Sequence, residues 1–133
     1  MNIMTREEKI SYWMELADYD VVTAEAMYSI KRWLYVGFMC HQVLEKTLKA
    51  YWCSSQESDP PYVHNLVRLA ENSGILEEMT EEQRLFLDMM MPMNIEARYP
   101  SYKSALAREL NETVCGQIIE RTKNLKQWIE NKL

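Results

Sequence analysis

The stretch VGFMCHQVLEKTLKAY, residues 36–51, places apolar side chains at Val36, Met39/Cys40, Val43/Leu44, Thr47/Leu48 and Tyr51. Steps of three and four residues line these groups along one face of a 3.6-residue helix, a spacing that the two-residue period of a strand does not produce. The helix is predicted to begin after the polar break at Lys31 and Arg32. It ends before SSQESDPP, residues 54–61, where Ser, Asp and paired Pro favour a loop.

Working outward, the same logic extends to both ends. Thr5-Arg6-Glu7-Glu8 reads as a capping box opening a first helix. Ile10, Trp13, Leu16, Ala17, Val21, Ala24 and Met27/Tyr28 carry its apolar stripe to about Ser29. Beyond the loop, HNLVRLAENSG, residues 64–74, gives a short helix with Leu66, Leu69 and Ala70 on one side and Gly74 as its stop. Thr80 to Gln83 repeats the capping box ahead of EEQRLFLDMMM, which Pro92 closes. Leu106, Leu110, Val114, Ile118, Leu125 and Trp128/Ile129 then mark one long last helix, despite Gly116 in its interior. No segment alternates with period two long enough for a strand. The expectation is a single all-α domain over residues 1–133: an antiparallel up-and-down helical bundle of three long and two short helices.

Composition narrows the function. Hydrophobic residues at 47% and charged residues at 26% fit a folded globular chain and leave no case for disorder. Three glycines give no material for the phosphate-cradling loops of Walker or Rossmann sites. A net charge of −5 argues against a generally basic nucleic-acid surface, though not against a local basic patch. Cys40, Cys53 and Cys115 form no C-x-x-C pair and leave an odd count, which fits buried, reduced thiols and a cytoplasmic chain. No stretch reaches membrane-span length, and no membrane association is expected. Four Trp and eight Tyr exceed what a small bundle readily encloses, which points to a homodimer, with half-buried surface rings as the alternative.

Few residues offer chemistry. His41 and Glu45 share a helix face, but HQVLE is not H-E-x-x-H, so a polar pair at the bundle seam is preferred to a metal site, and no metal or other cofactor is expected. His64 precedes Asn65, where it can simply organise a helix start. The run MMMPM, residues 89–93, reads as gap-filling core, and Glu77, Glu78, Glu81 and Glu82 as a solvated face. The segment MNIEARYPSYK, residues 93–103, is neither regular helix nor strand. Its Arg98 offers a planar fork for phosphate, Tyr99 and Tyr102 offer rings for bases, and Lys103 adds a point charge. Lys46 and Lys49 of the second helix can join this set if that helix passes nearby. The residues leave a second reading open, in which Arg98 pairs with Glu45 or Glu96 and the tyrosines plug the bundle end.

HQVLEKTLKAYW (41–52), HNLVRLA (64–70) and ARYPSY (97–102) before a last helix resemble, in order, the small prokaryotic HEPN-domain proteins, over nearly the whole chain. The resemblance implies a helical bundle that dimerises. It also implies a minimal nucleotidyltransferase as partner, commonly in a toxin–antitoxin pair. In many relatives it implies a metal-independent ribonuclease whose motif is an arginine followed after four to six residues by a histidine. Arg98 matches that arginine, but positions 103–105 hold Lys103, Ser104 and Ala105. With a reference pKa of about 10.4, a lysine is neutral in roughly one molecule in 2,000 at pH 7, a poor base for a 2′-hydroxyl. His64 or His41 can substitute only if the fold brings one beside Arg98. The expectation is a nucleotide- or RNA-binding module, or a nucleotidyltransferase partner, more binder than enzyme, through Arg98, Tyr99, Tyr102, Lys103, Lys46, Lys49 and His64. The alternatives are an active ribonuclease toxin with Arg98 as catalytic residue and a non-standard base, or a purely structural, dimerising chain.

Overall fold

The computed structural model describes residues 3–95 and 99–133, and all of its regular structure there is helical. Six α-helices follow in order: α1 (Arg6–Ser29), α2 (Trp33–Ser55), α3 (Leu66–Ser73), α4 (Glu81–Met90), α5 (Pro100–Glu109) and α6 (Glu112–Glu130). Short 3₁₀ turns cover Ile75–Glu78 and Met91–Met93. Both capping boxes form: Thr5 Oγ1 accepts from Glu8 N at 3.1 Å and Thr80 Oγ1 from Gln83 N at 3.1 Å, with each reciprocal bond also present. Gly74 ends α3 in the left-handed conformation, φ +91°.

α1 and α2 form a tight hairpin. Arg32 N donates to Met27 O at 2.8 Å and Lys31 N to Tyr28 O at 3.0 Å, the paired bonds of a Schellman stop. Lys31 occupies the left-handed position there, φ +61°, where glycine is usual. Contacts along the helices give their directions. Lys126 reaches Asp18 and Lys123 reaches Glu25, so α6 runs antiparallel to α1. Cys115 Sγ lies on Trp33 O and Thr122 on Cys40, so α6 runs alongside α2 in the same direction. Alternation thus holds between α1 and both of its long neighbours, while α3 to α5 carry the chain back between α2 and α6.

α2 is the central element, burying Val36, Cys40, Leu44 and Leu48 in one core with Ile118, Leu125 and Ile129 of α6 and Leu66 and Leu69 of α3, a core that Phe86, Leu87 and Met90 of α4 also join. Met90 and Met93 fill this core, as flexible thioethers are suited to do. All three cysteines are buried.

The expected single last helix is two. It breaks at Leu110 and Asn111, where the Asn111 side chain accepts from Val114 N at 2.9 Å and starts α6 anew. Three short helices therefore accompany the three long ones. The expected loop at 93–103 is also shorter than read. Met93 belongs to a 3₁₀ turn, and α5 begins at Pro100, whose fixed φ suits the first helical position. Tyr102 and Lys103 accordingly stand on a helix, not on a loop. Gly116 has a packing reason: a Cβ there would lie 3.2 Å from the Tyr28 hydroxyl, so glycine lets α1 and α6 approach.

Candidate functional site

Along α2, His41, Glu45 and Lys49 follow at four-residue intervals, so they stack one turn apart on one face. All three are buried. Two ionised groups removed from water cost several kcal/mol each unless they meet partners. Here the partners are one another. Lys49 Nζ donates to Glu45 Oε2 at 3.2 Å, and His41 Nδ1 stands 3.9 Å from Glu45 Oε1.

The extended chain after the 54–61 loop adds the fourth member. His64 Nδ1 lies 3.0 Å and 3.1 Å from the two Glu45 oxygens. A carboxylate only accepts, so Nδ1 is the donor, and a neutral ring then holds its lone pair on Nε2. The His64 side chain is 48% exposed, whereas that of Glu45 is 4%. A buried anion thus orients an imidazole that water and ligands can reach. Tyr62, 92% exposed, meets the His64 ring edge-on at 5.6 Å between centroids. Lys49 Nζ lies 5.2 Å from the Trp13 ring centroid and 5.9 Å from that of Tyr62, a cation between two aromatic faces.

Two expected site residues, Lys49 and His64, therefore meet at Glu45, which the sequence reading paired with His41 and, in its second reading, with Arg98. Lys46 turns to α1 and pairs with Asp20, a buried carboxylate that the reading did not single out. Tyr99 caps the start of α5 and is 83% exposed, and Tyr102 and Lys103 follow on the first turn of that helix. Arg98 and Glu96 lie outside the described residues. The segment leading to them reaches α2 close to the cluster, because Met93 packs on Gly37, one turn before His41. Asn65, not His64, caps α3, accepting from Arg68 N at 2.9 Å.

Trp13 and Tyr62 were missed. A signal for Tyr62 exists in PPYVH, since residues two apart in an extended chain face the same side. Trp13 reads from sequence as one more core position. Among the described residues, no group of three or more His, Cys, Asp or Glu is placed to hold a metal ion. No helix among them is long and apolar enough to cross a membrane.

The family model for the HEPN domain matches residues 10–132. The chain belongs to the HEPN family. The fold of this HEPN chain is similar to the crystal structure of TT1696 from Thermus thermophilus, with a TM-score of 0.80 at 16% sequence identity, covering 94% of this chain and 98% of that one. At that identity the likeness speaks for the fold alone. No curated protein matches the HEPN chain.

Proposed function

We propose that this HEPN chain is a nucleotide- or RNA-binding module. The residues proposed to carry recognition are the His64–Tyr62 edge of the Glu45 cluster and, by their chemistry in the sequence, Arg98, Tyr99, Tyr102 and Lys103. The observation that carries the reading is the half-exposed His64 ring held at Nδ1 by buried Glu45, beside the Lys49 ammonium and an exposed tyrosine. Exposed rings supply stacking faces for unpaired bases, and imidazole and guanidinium groups supply donors for phosphate. Tyr99 adds a further exposed ring next to Arg98.

Fluorescence anisotropy of a labelled single-stranded RNA at low salt tests this. Arg98→Ala and His64→Ala are each expected to weaken binding about tenfold or more with an unchanged far-ultraviolet circular dichroism spectrum. Absence of binding by the wild-type chain to RNA or to mononucleotides refutes the reading. Its expected setting is a homodimer, supported by the exposed Tyr12 and Tyr19 of α1, working beside a minimal nucleotidyltransferase as a toxin–antitoxin-type pair. Co-expression with a neighbouring nucleotidyltransferase frame tests the partner.

The His64–Glu45 pair favours a second reading, a metal-independent ribonuclease. Positions 103–105 offer no histidine, and His64, held at Nδ1 by Glu45, is the imidazole proposed to stand in for it, with Nε2 the ring atom left to face a 2′-hydroxyl. Cleavage in excess chelator, lost in both His64→Ala and Arg98→Ala, supports it over simple binding.

A further inference from the structure

α1 carries two apolar stripes where a surface helix needs one. The inner stripe, with Met14, Ala17 and Ala24, is buried, as α1 packs on α2 and α6. The outer one runs through Tyr12, Leu16, Tyr19, Thr23, Ala26 and Ile30 in alternating steps of four and three residues. That is the spacing of a coiled-coil seam, and here it extends about 27 Å at 1.5 Å per residue. Tyr19 is 73% and Ile30 60% exposed, Tyr12 and Ala26 are also exposed, and Leu16 and Thr23 are half-buried. Thr23 Oγ1 donates back to Tyr19 O at 3.3 Å, so this hydroxyl can enter an apolar contact without a new partner. Single exposed apolar residues need no explanation, but six in one helical register make a continuous patch.

The stripe is its own complement when reversed. Turned end for end about position 21, it sets Tyr12 against Ile30, Leu16 against Ala26 and Tyr19 against Thr23 of a second copy. Each larger side chain then lies opposite a smaller one, which lets facing layers interdigitate. A parallel pair stacks Tyr on Tyr and Ala on Ala instead. Charge agrees with the reversed arrangement. Exposed Glu8 and Glu15 flank the start of the seam, and exposed Lys31 and Arg32 lie at its end, so reversal brings acidic end to basic end whereas a parallel pair sets like against like. Such rim charges fix orientation more than they add strength. A two-fold interface requires a self-complementary patch, and this stripe is one. We infer that two copies of the chain associate through the outer face of α1, packed antiparallel with Tyr19 of each against Thr23 of the other. This rests on the homodimer expected above and names its surface. Tyr12 meets the Trp13 ring edge-on at 5.1 Å, and Trp13 carries Lys49. The interface therefore adjoins the Glu45 cluster and brings Lys31 and Arg32 of the partner subunit to that end of α1.

Sedimentation equilibrium of the full chain, joined to a cross-linking experiment, tests this. The wild-type chain is expected to dimerise. Tyr19→Glu sets two carboxylates near the two-fold axis and is expected to raise the dimer Kd about tenfold or more with an unchanged circular dichroism spectrum. For the register, a short bis-maleimide is added to chains bearing Tyr19→Cys, to chains bearing Thr23→Cys and to an equal mixture, the native cysteines being buried. Antiparallel packing predicts that the mixture cross-links several-fold better than either variant alone. Should Tyr19→Glu disturb the fold, the cross-linking decides by itself. Preferential cross-linking within one variant overturns the proposed register. A dimer indifferent to Tyr19→Glu, with no gain on mixing, overturns this surface and leaves the expected homodimer standing. A wild-type chain still monomeric at about 100 μM, where a micromolar dimer would be filled, overturns both and leaves the RNA-binding reading untouched.

Discussion

Replacing Glu45 by Gln keeps the shape of the side chain and removes the one anion that His64 and Lys49 share. With Glu45 and Lys49 side chains only 4% and 5% exposed, solvent screening gives little relief. Breaking a buried pair by neutralising one partner strands the other charge and costs about 3–5 kcal/mol. Against a total stability of about 5–15 kcal/mol this is a large fraction. At about 2.1 cal/mol/K per residue of unfolding entropy, it lowers Tm by roughly 10–20 °C for a chain of this length. Most of the loss is the stranded ammonium, so Lys49→Met in the Glu45→Gln background is expected to restore stability. The two substitutions together then cost about 2 kcal/mol less than the sum of the singles. Urea denaturation followed at 222 nm measures the cycle, and Trp13, packed on Lys49, reports the locality of the change by fluorescence. A cost for Glu45→Gln below about 1 kcal/mol, or strict additivity in the double variant, refutes the claim that this carboxylate anchors the cluster.

Lys31→Gly relieves a left-handed conformation that costs a non-glycine residue about 1–2 kcal/mol, offset in part by the extra freedom of glycine in the unfolded chain. A net gain of about 0.5–1 kcal/mol is expected in the same urea assay. Burial pushes the Cys40 thiol up to about 12 and the Cys115 thiol up to about 11, so the native chain is expected to resist Ellman's reagent at pH 8 while the urea-unfolded chain reacts at all three cysteines. The sign for stability follows. Above an unfolded thiol pKa of about 8.5 the unfolded chain loses protons that the folded chain keeps, so this contribution is complete below that pH and is lost on going up towards 11 to 12. Cys40→Ala is expected to show a shallower decline than wild type over that window.

Local chemistry made much of the fold legible. Thr5 with Glu8, Thr80 with Gln83, and Gly74 as a stop each involve groups a few residues apart, and each forms as read. The break between α5 and α6 escaped because Leu106, Leu110 and Val114 keep their four-residue spacing across it, so apolar periodicity runs on where the hydrogen bonding restarts. Asn111 was the only local sign, and an isolated asparagine at a helical position is compatible with either outcome. At the site, His64 and Lys49 stood out individually as titratable residues, but their joint attachment to Glu45 had no sequence signature.

By itself the sequence determined which segments are helical, where most of them start and stop, and which residue types are present for binding phosphate or a base. These follow from periodicity and capping, whose interactions span a single turn. Tertiary structure alone decided that His64, nineteen residues from Glu45, completes a buried cluster, and that Lys46 is drawn away to Asp20. The reason is that a contact between distant residues depends on how α1, α3 and α6 pack around α2. That packing is fixed by burial of the whole core and not by the residues that meet.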